Sequence, residues 1–141
     1  MRQQLTISKT LTSPADAVWR VISDGTRVER WFEWVERTAL KDAAEGGVRT
    51  ICMKDGTSFE EYITLNDSRT RTYQYYAPDP PLPVKHVIGT KRLEIAPTGE
   101  AVLTWFVTMD VTPAAPPDIV TMMSDLYRNA ANKIDELART A

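Results

Sequence analysis

The segment Phe59-Glu60-Glu61-Tyr62-Ile63-Thr64-Leu65 holds the residue with the most chemical potential in this chain. Side chains alternate between faces along a strand, so Phe59, Glu61, Ile63 and Leu65 share one face. Three of the four are apolar, which makes that face the interior one and aims Glu61 into apolar surroundings. A carboxylate buried without a partner is costly, so it is either paired or used. Three arrangements satisfy this: a cavity-lining carboxylate serving as a base or water-organiser, an ion pair with Arg71 or Arg49, or an edge position in water.

Tyr73 and Tyr75 share a face of another strand and, turned inward, would offer phenolic donors to a ligand carbonyl. The alternative turns them to solvent and Tyr76 inward. In Ala101 to Met109 the face Ala101, Leu103, Trp105, Val107, Met109 is the more apolar and is expected inside. Trp105 would be a flat wall with one N–H donor, or simple core filler. His86 is the only histidine. It is either a general acid or base, or a partly exposed residue at the rim where a strand begins. The candidate catalytic residues are therefore Glu61, Tyr73 and His86.

Other chemistries lack their parts. One histidine and one cysteine cannot build the usual zinc sites, and Cys52 cannot form an intramolecular disulfide. Cys52 has no evident activating neighbour and reads as a small buried residue. No phosphate-cradling glycine loop and no Gly-x-Ser-x-Gly elbow occurs. No cofactor is expected. With 17 basic and 19 acidic residues, the net charge of -2 argues against nucleic acid, which demands a basic footprint. No apolar run nears the ~20 residues of a membrane helix, so no stable membrane insertion is expected. Met1 to Leu5 lacks the apolar core of a signal peptide, and a cytoplasmic monomer or homodimer is the expectation.

These residues need elements to position them. A chain of 141 residues suits one domain, 1–141, able to bury roughly two thirds of its unfolded surface. Leu5 to Leu11 alternates as a half-buried strand. Ser13 is placed to cap a helix from Pro14 to about Ile22, with Asp16 in its first turn. A shorter helix is expected over Thr26 to Trp31. Strands follow at Trp34–Leu40, Val48–Lys54, Thr57–Leu65, Arg71–Ala77, Val84–Ile95 and Ala101–Val111. Asp55-Gly56 marks a tight hairpin and Pro97-Thr98-Gly99 another turn. The cluster Pro78 to Pro83 cannot be a central strand and is read as a stiff surface loop. It and the Asp55-Gly56 hairpin are expected to rim a cavity mouth.

The last element runs from about Asp118 to Ala138. Ile119, Met122, Met123, Leu126, Ala130, Ile134 and Leu137 repeat at helical spacing and should face the sheet. Methionines suit a wall that adapts to a ligand. Tyr127 would add a hydroxyl at the margin. The expected ligand-lining set is thus Phe59, Glu61, Ile63, Tyr73, Tyr75, Trp105, Val107, Met122, Met123, Leu126 and Tyr127.

Strand, two short helices, six strands and a long helix make an α+β order with an antiparallel sheet. The residues Ser13-Pro14, Val18-Trp19, the Gly46-Gly47 turn, the Asp55-Gly56 hairpin and Val102-Leu103-Thr104-Trp105 resemble the START/Bet v 1-like superfamily. This SRPBCC group includes polyketide cyclases, lipid carriers and plant hormone receptors. The resemblance spans nearly the whole chain and is greatest to bacterial relatives of the abscisic-acid receptors. It implies a helix-grip fold, a curved seven-stranded antiparallel sheet around the C-terminal helix, enclosing a cavity for a small apolar or aromatic molecule. It also implies that Glu61 matches a polar, water-organising glutamate of those receptors. The receptors' carboxylate-binding lysine is matched here by Glu36, and their gate loop by the tight Lys54-Asp55-Gly56-Thr57 hairpin, so their acidic ligand is not expected. A cyclase/dehydrase-type enzyme, a non-catalytic carrier or sensor, and an Hsp90-activator-like interaction domain all remain compatible.

Overall fold

The structure is a computed structural model and describes residues 1–40 and 45–140. Its elements run β1 (Arg2–Thr10), α1 (Ala15–Asp24), a 3-10 turn (Val28–Arg30), β2 (Val35–Leu40), β3 (Val48–Met53), β4 (Ser58–Asp67), β5 (Thr72–Ala77), β6 (Val84–Ile95), β7 (Ala101–Val111) and α2 (Ile119–Thr140). The seven strands form one antiparallel sheet in the order β1-β7-β6-β5-β4-β3-β2. The sheet curves around α2, as the strand-then-helix order predicts.

Period-two patterning decides the inner face. Ala101, Leu103, Trp105, Val107 and Met109 are all buried, while Phe106 is exposed. The same alternation buries Tyr73, Tyr75 and Ala77 on β5 and Val87, Lys91 and Leu93 on β6. Register aligns these into rows across the sheet. Ile7, Trp105, Lys91 and Tyr73 form one row; Leu5, Val107, Gly89, Tyr75 and Ile63 form the next.

Two expectations at the helices are corrected. Ser13 does not cap α1: Pro14 takes the N-cap position, with no side-chain cap bond. The Ser13 hydroxyl instead donates to the Asp135 carbonyl of α2 at 3.1 Å. The buried Asp135 carboxylate accepts from the backbone N–H groups of Thr12 and Ser13, and from the Thr12 hydroxyl at 2.9 Å. This ties α2 to the β1–α1 connection. On α2 the buried stripe is Ile119, Met123, Tyr127, Ala130, Ala131, Ile134, Asp135 and Ala138. Met122, expected to face the sheet, is 47% exposed, because a helix turned to bury Met123 and Tyr127 rotates its neighbour outward.

Candidate functional site

Between the inner face of the sheet and α2 lies a cavity of about 70 Å³. Its wall is apolar except for the Glu61 carboxylate and the hydroxyls of Tyr75 and Tyr127. Phe59 on β4 and Met123 and Leu126 on α2 line it, and Val28, Phe32, Trp34, Val35, Ile51, Met53 and Leu82 complete it. Trp34, Met53 and Leu82 continue into a surface depression with Lys54, Asp55 and Pro81. The proline loop and the Asp55-Gly56 hairpin therefore meet at the outer end of the cavity.

The volume is small beside the ~300–1,000 Å³ of most ligand pockets. Large side chains fill the space. Trp105 and Tyr127 meet edge-on at 4.8 Å between centroids, and Phe32 packs on both at 5.7 Å. Tyr75 lies flat over Gly89, where even a methyl group would sit 2.2 Å from its ring. Trp105 Nε1 donates to the Tyr75 hydroxyl at 3.3 Å. Burial, then the neighbouring Tyr127, hold the Tyr75 phenol well above its usual range. Burial raises Tyr127 likewise. Both phenols are neutral hydrogen-bonding groups.

Glu61 is paired with Arg49. Arg49 Nε donates to Glu61 Oε1 at 2.7 Å, and Nη2 lies 2.7 Å from the same oxygen. Arg49 Nη1 donates to the Gly25 carbonyl at 3.1 Å and to the Tyr73 hydroxyl at 3.2 Å. Of the two arginines weighed for Glu61, Arg49 is the partner; Arg71 pairs with Asp16 at 2.6 Å. One Glu61 residue thus serves both as a cavity wall and as half of a buried ion pair. Gly25 has a φ of 65°, and an added Cβ there would meet the Tyr73 hydroxyl at 2.6 Å. Only glycine lets the end of α1 close over this pair.

Lys91 is the group that sequence reasoning missed. It is 1% exposed and lies in register between Tyr73 and Trp105. Its Nζ faces four rings: Trp105 at 4.6 Å, Trp31 at 5.0 Å, Tyr73 at 5.3 Å and Tyr75 at 5.7 Å. Burial, and then the charge of Arg49, push its pKa down to about 7 against the opposing pull of Glu61.

The expected residues divide by place. Phe59, Glu61, Tyr75, Met123, Leu126 and Tyr127 line the cavity. Ile63, Tyr73, Trp105 and Val107 are buried in the interior behind it. His86 lies elsewhere. Its φ of 52° accompanies a register shift between Lys85 and Ile88, and its ring stacks on Tyr76 and bonds to Asp110 at 2.8 Å. Half-exposed there, it has no approach to the cavity, because the bulge turns it out of the alternation. Glu36 is exposed on β2. Among the described residues no group of His, Cys, Asp and Glu could hold a metal ion, and no helix is long and apolar enough to cross a membrane.

Residues 2–140 match the family described as polyketide cyclase/dehydrase and lipid transport. No curated protein matches this sequence. Solved structures share the fold at low identity. The protein XoxI from Bacillus cereus superposes with a TM-score of 0.80 at 16% identity, over 94% of this chain and 93% of that one. Ara h 8.0201 gives 0.79 at 17% identity over 100% of both chains. A protein from Thermobifida fusca gives 0.78 at 22% identity, over 96% of this chain and 92% of that one.

Proposed function

The chain belongs to the polyketide cyclase/dehydrase and lipid transport family, and from that premise we propose that it binds a small apolar or aromatic molecule between its sheet and α2. The observation carrying this reading is the cavity wall. It is apolar throughout except where Glu61, Tyr75 and Tyr127 bring one carboxylate and two neutral phenols together. Such a wall holds a hydrophobic body and orients one polar group on it. If the bound molecule reacts, cyclisation or dehydration suits the site. Shape folds the substrate, Glu61 takes or organises a proton, and a tyrosine hydroxyl polarises a carbonyl.

Binding is tested by native mass spectrometry of the protein purified from its own host, and by quenching of tryptophan fluorescence with small aromatic molecules. A co-purifying small molecule, and saturable quenching weakened about tenfold by Glu61→Gln (about 1.4 kcal/mol), are the expected results. A bare protein that quenches with nothing overturns the reading. The compact interior favours a second one, an interaction domain whose core is simply filled. That reading expects no small molecule and a protein partner recovered instead.

A further inference from the structure

We propose that Lys91 is a nucleophilic amine that condenses with the carbonyl group of an aldehyde or ketone admitted to the interior; this rests on the small-molecule cavity proposed above. The geometry sets Lys91 apart from an ordinary buried lysine. Buried lysines are expected to be paired. Among the described residues, Lys91 Nζ has no carboxylate within ion-pair distance and no hydrogen-bond acceptor; its contacts are the four rings. Glu61, the carboxylate of this interior, is already held by Arg49.

A second group near the amine lacks a partner. Among the described residues Trp31 Nε1 is buried without an acceptor, and the Trp31 ring is one of the four around Lys91. Two donors with no acceptor in one apolar enclosure suit a molecule that brings an oxygen. A carbonyl does so, and its carbon is the electrophile an amine needs. Tyr75 belongs both to the cavity wall and to the ring cage, so the amine and the cavity are neighbours across one side chain.

The charged and titratable groups around Nζ are Arg49 from β3, Glu61 from β4, and Tyr73 and Tyr75 from β5. Burial and Arg49 hold the amine at about 7, so much of it is neutral near neutral pH, whereas an ordinary lysine is almost wholly protonated. The neutral Nζ attacks the carbonyl carbon and a C–N bond forms. The carbonyl oxygen takes up both protons that the nitrogen gives up, relayed through the medium, and leaves as water. The product is an imine on Lys91; no oxidant or reductant is consumed. A desolvated lysine in an apolar pocket is activated for this chemistry.

The test combines benzaldehyde with sodium cyanoborohydride, which reduces the imine to a stable benzylamine, and locates adducts by peptide mapping. Benzyl alcohol, which has the shape but cannot condense, reports cavity binding through tryptophan fluorescence. The expected result is an adduct at Lys91 formed at least roughly tenfold faster than at any other lysine at neutral pH. Lys91→Met should remove that adduct and retain both the fold, checked by thermal unfolding, and the binding of benzyl alcohol. If benzyl alcohol binds but Lys91 is labelled no faster than the exposed lysines, the nucleophile is overturned and the cavity reading survives. If neither binding nor a Lys91 adduct is seen, both fall.

Discussion

Arg49 and Glu61 are register partners on β3 and β4, and the guanidinium places two nitrogens 2.7 Å from one carboxylate oxygen while itself only 2% exposed. Glu61→Leu therefore strands a buried cation. Removing one partner of such a pair costs about 3–5 kcal/mol, whereas replacing both by apolar groups is often neutral. Glu61→Leu should lower the melting temperature markedly, Glu61→Gln less, because its amide oxygen still accepts from Arg49. The double variant Arg49→Met/Glu61→Leu should recover most of the loss. Thermal unfolding of the four proteins side by side checks this; a Leu variant as stable as the parent would show that the pair is not structural.

Gly89 and Tyr75 supply a second prediction. They are opposed on β6 and β5, and the tyrosine ring covers the glycine backbone. Gly89→Ala must push the ring toward α2 and Tyr127. Overpacking of this kind costs about 1–3 kcal/mol. The variant should melt earlier and lose near-ultraviolet dichroism from the Trp105–Tyr75–Tyr127 cluster. An unchanged spectrum would mean that Tyr75 does not rest there in solution.

The strands were legible because their alternation is unbroken: Ala101 to Met109 reads correctly residue by residue. The site was legible in part. Glu61 stands out as a charge on an apolar face, but whether Arg49 or Arg71 answers it depends on which strands become neighbours. Lys91 carried the same signal, since Val87, Gly89, Lys91 and Leu93 share a period-two face with one charge in it. Its length lets a lysine on such a face reach water, so burial is settled only by the Trp31 and Trp105 rings closing over it. Phe32 and Trp34 sit in an irregular stretch with no period to place them. Asp135 reads as surface until Thr12 and Ser13, over a hundred residues earlier, claim its oxygens.

Asp135 leads to a third prediction. Burial raises its carboxyl, but the hydrogen bonds from Thr12 and Ser13 outweigh this and hold it below the usual 3.8. A depressed carboxylate contributes stability above its unfolded pKa and loses it as pH falls through the folded value. Asp135→Ala should cost about 1–3 kcal/mol at neutral pH, by leaving the Thr12 and Ser13 N–H groups unsatisfied. The gap between parent and variant should narrow in acid below pH ~4. Denaturant unfolding at neutral and acid pH measures it, and a gap independent of pH would remove the ionised carboxylate from the account.

Lys91 has the opposite sign. Its folded pKa of about 7 lies below the usual 10.5, so between those values the unfolded chain binds more protons. Stability then rises with pH across that window, by up to about 1.4 kcal/mol per unit for one full proton. Below pH 7 the charged amine is carried in both states and the burial cost is largest. Lys91→Met, similar in size and uncharged, should therefore be more stable than the parent at pH 6. Its advantage should shrink as pH rises from 7 toward 9. Above that range the buried phenols intervene: Tyr73, Tyr75 and Tyr127 are raised by burial, and the unfolded chain ionises first. The comparison belongs between pH 6 and 9, with both proteins unfolded by denaturant at each pH. A constant difference would mean that Lys91 titrates as an ordinary lysine, held charged by its four rings.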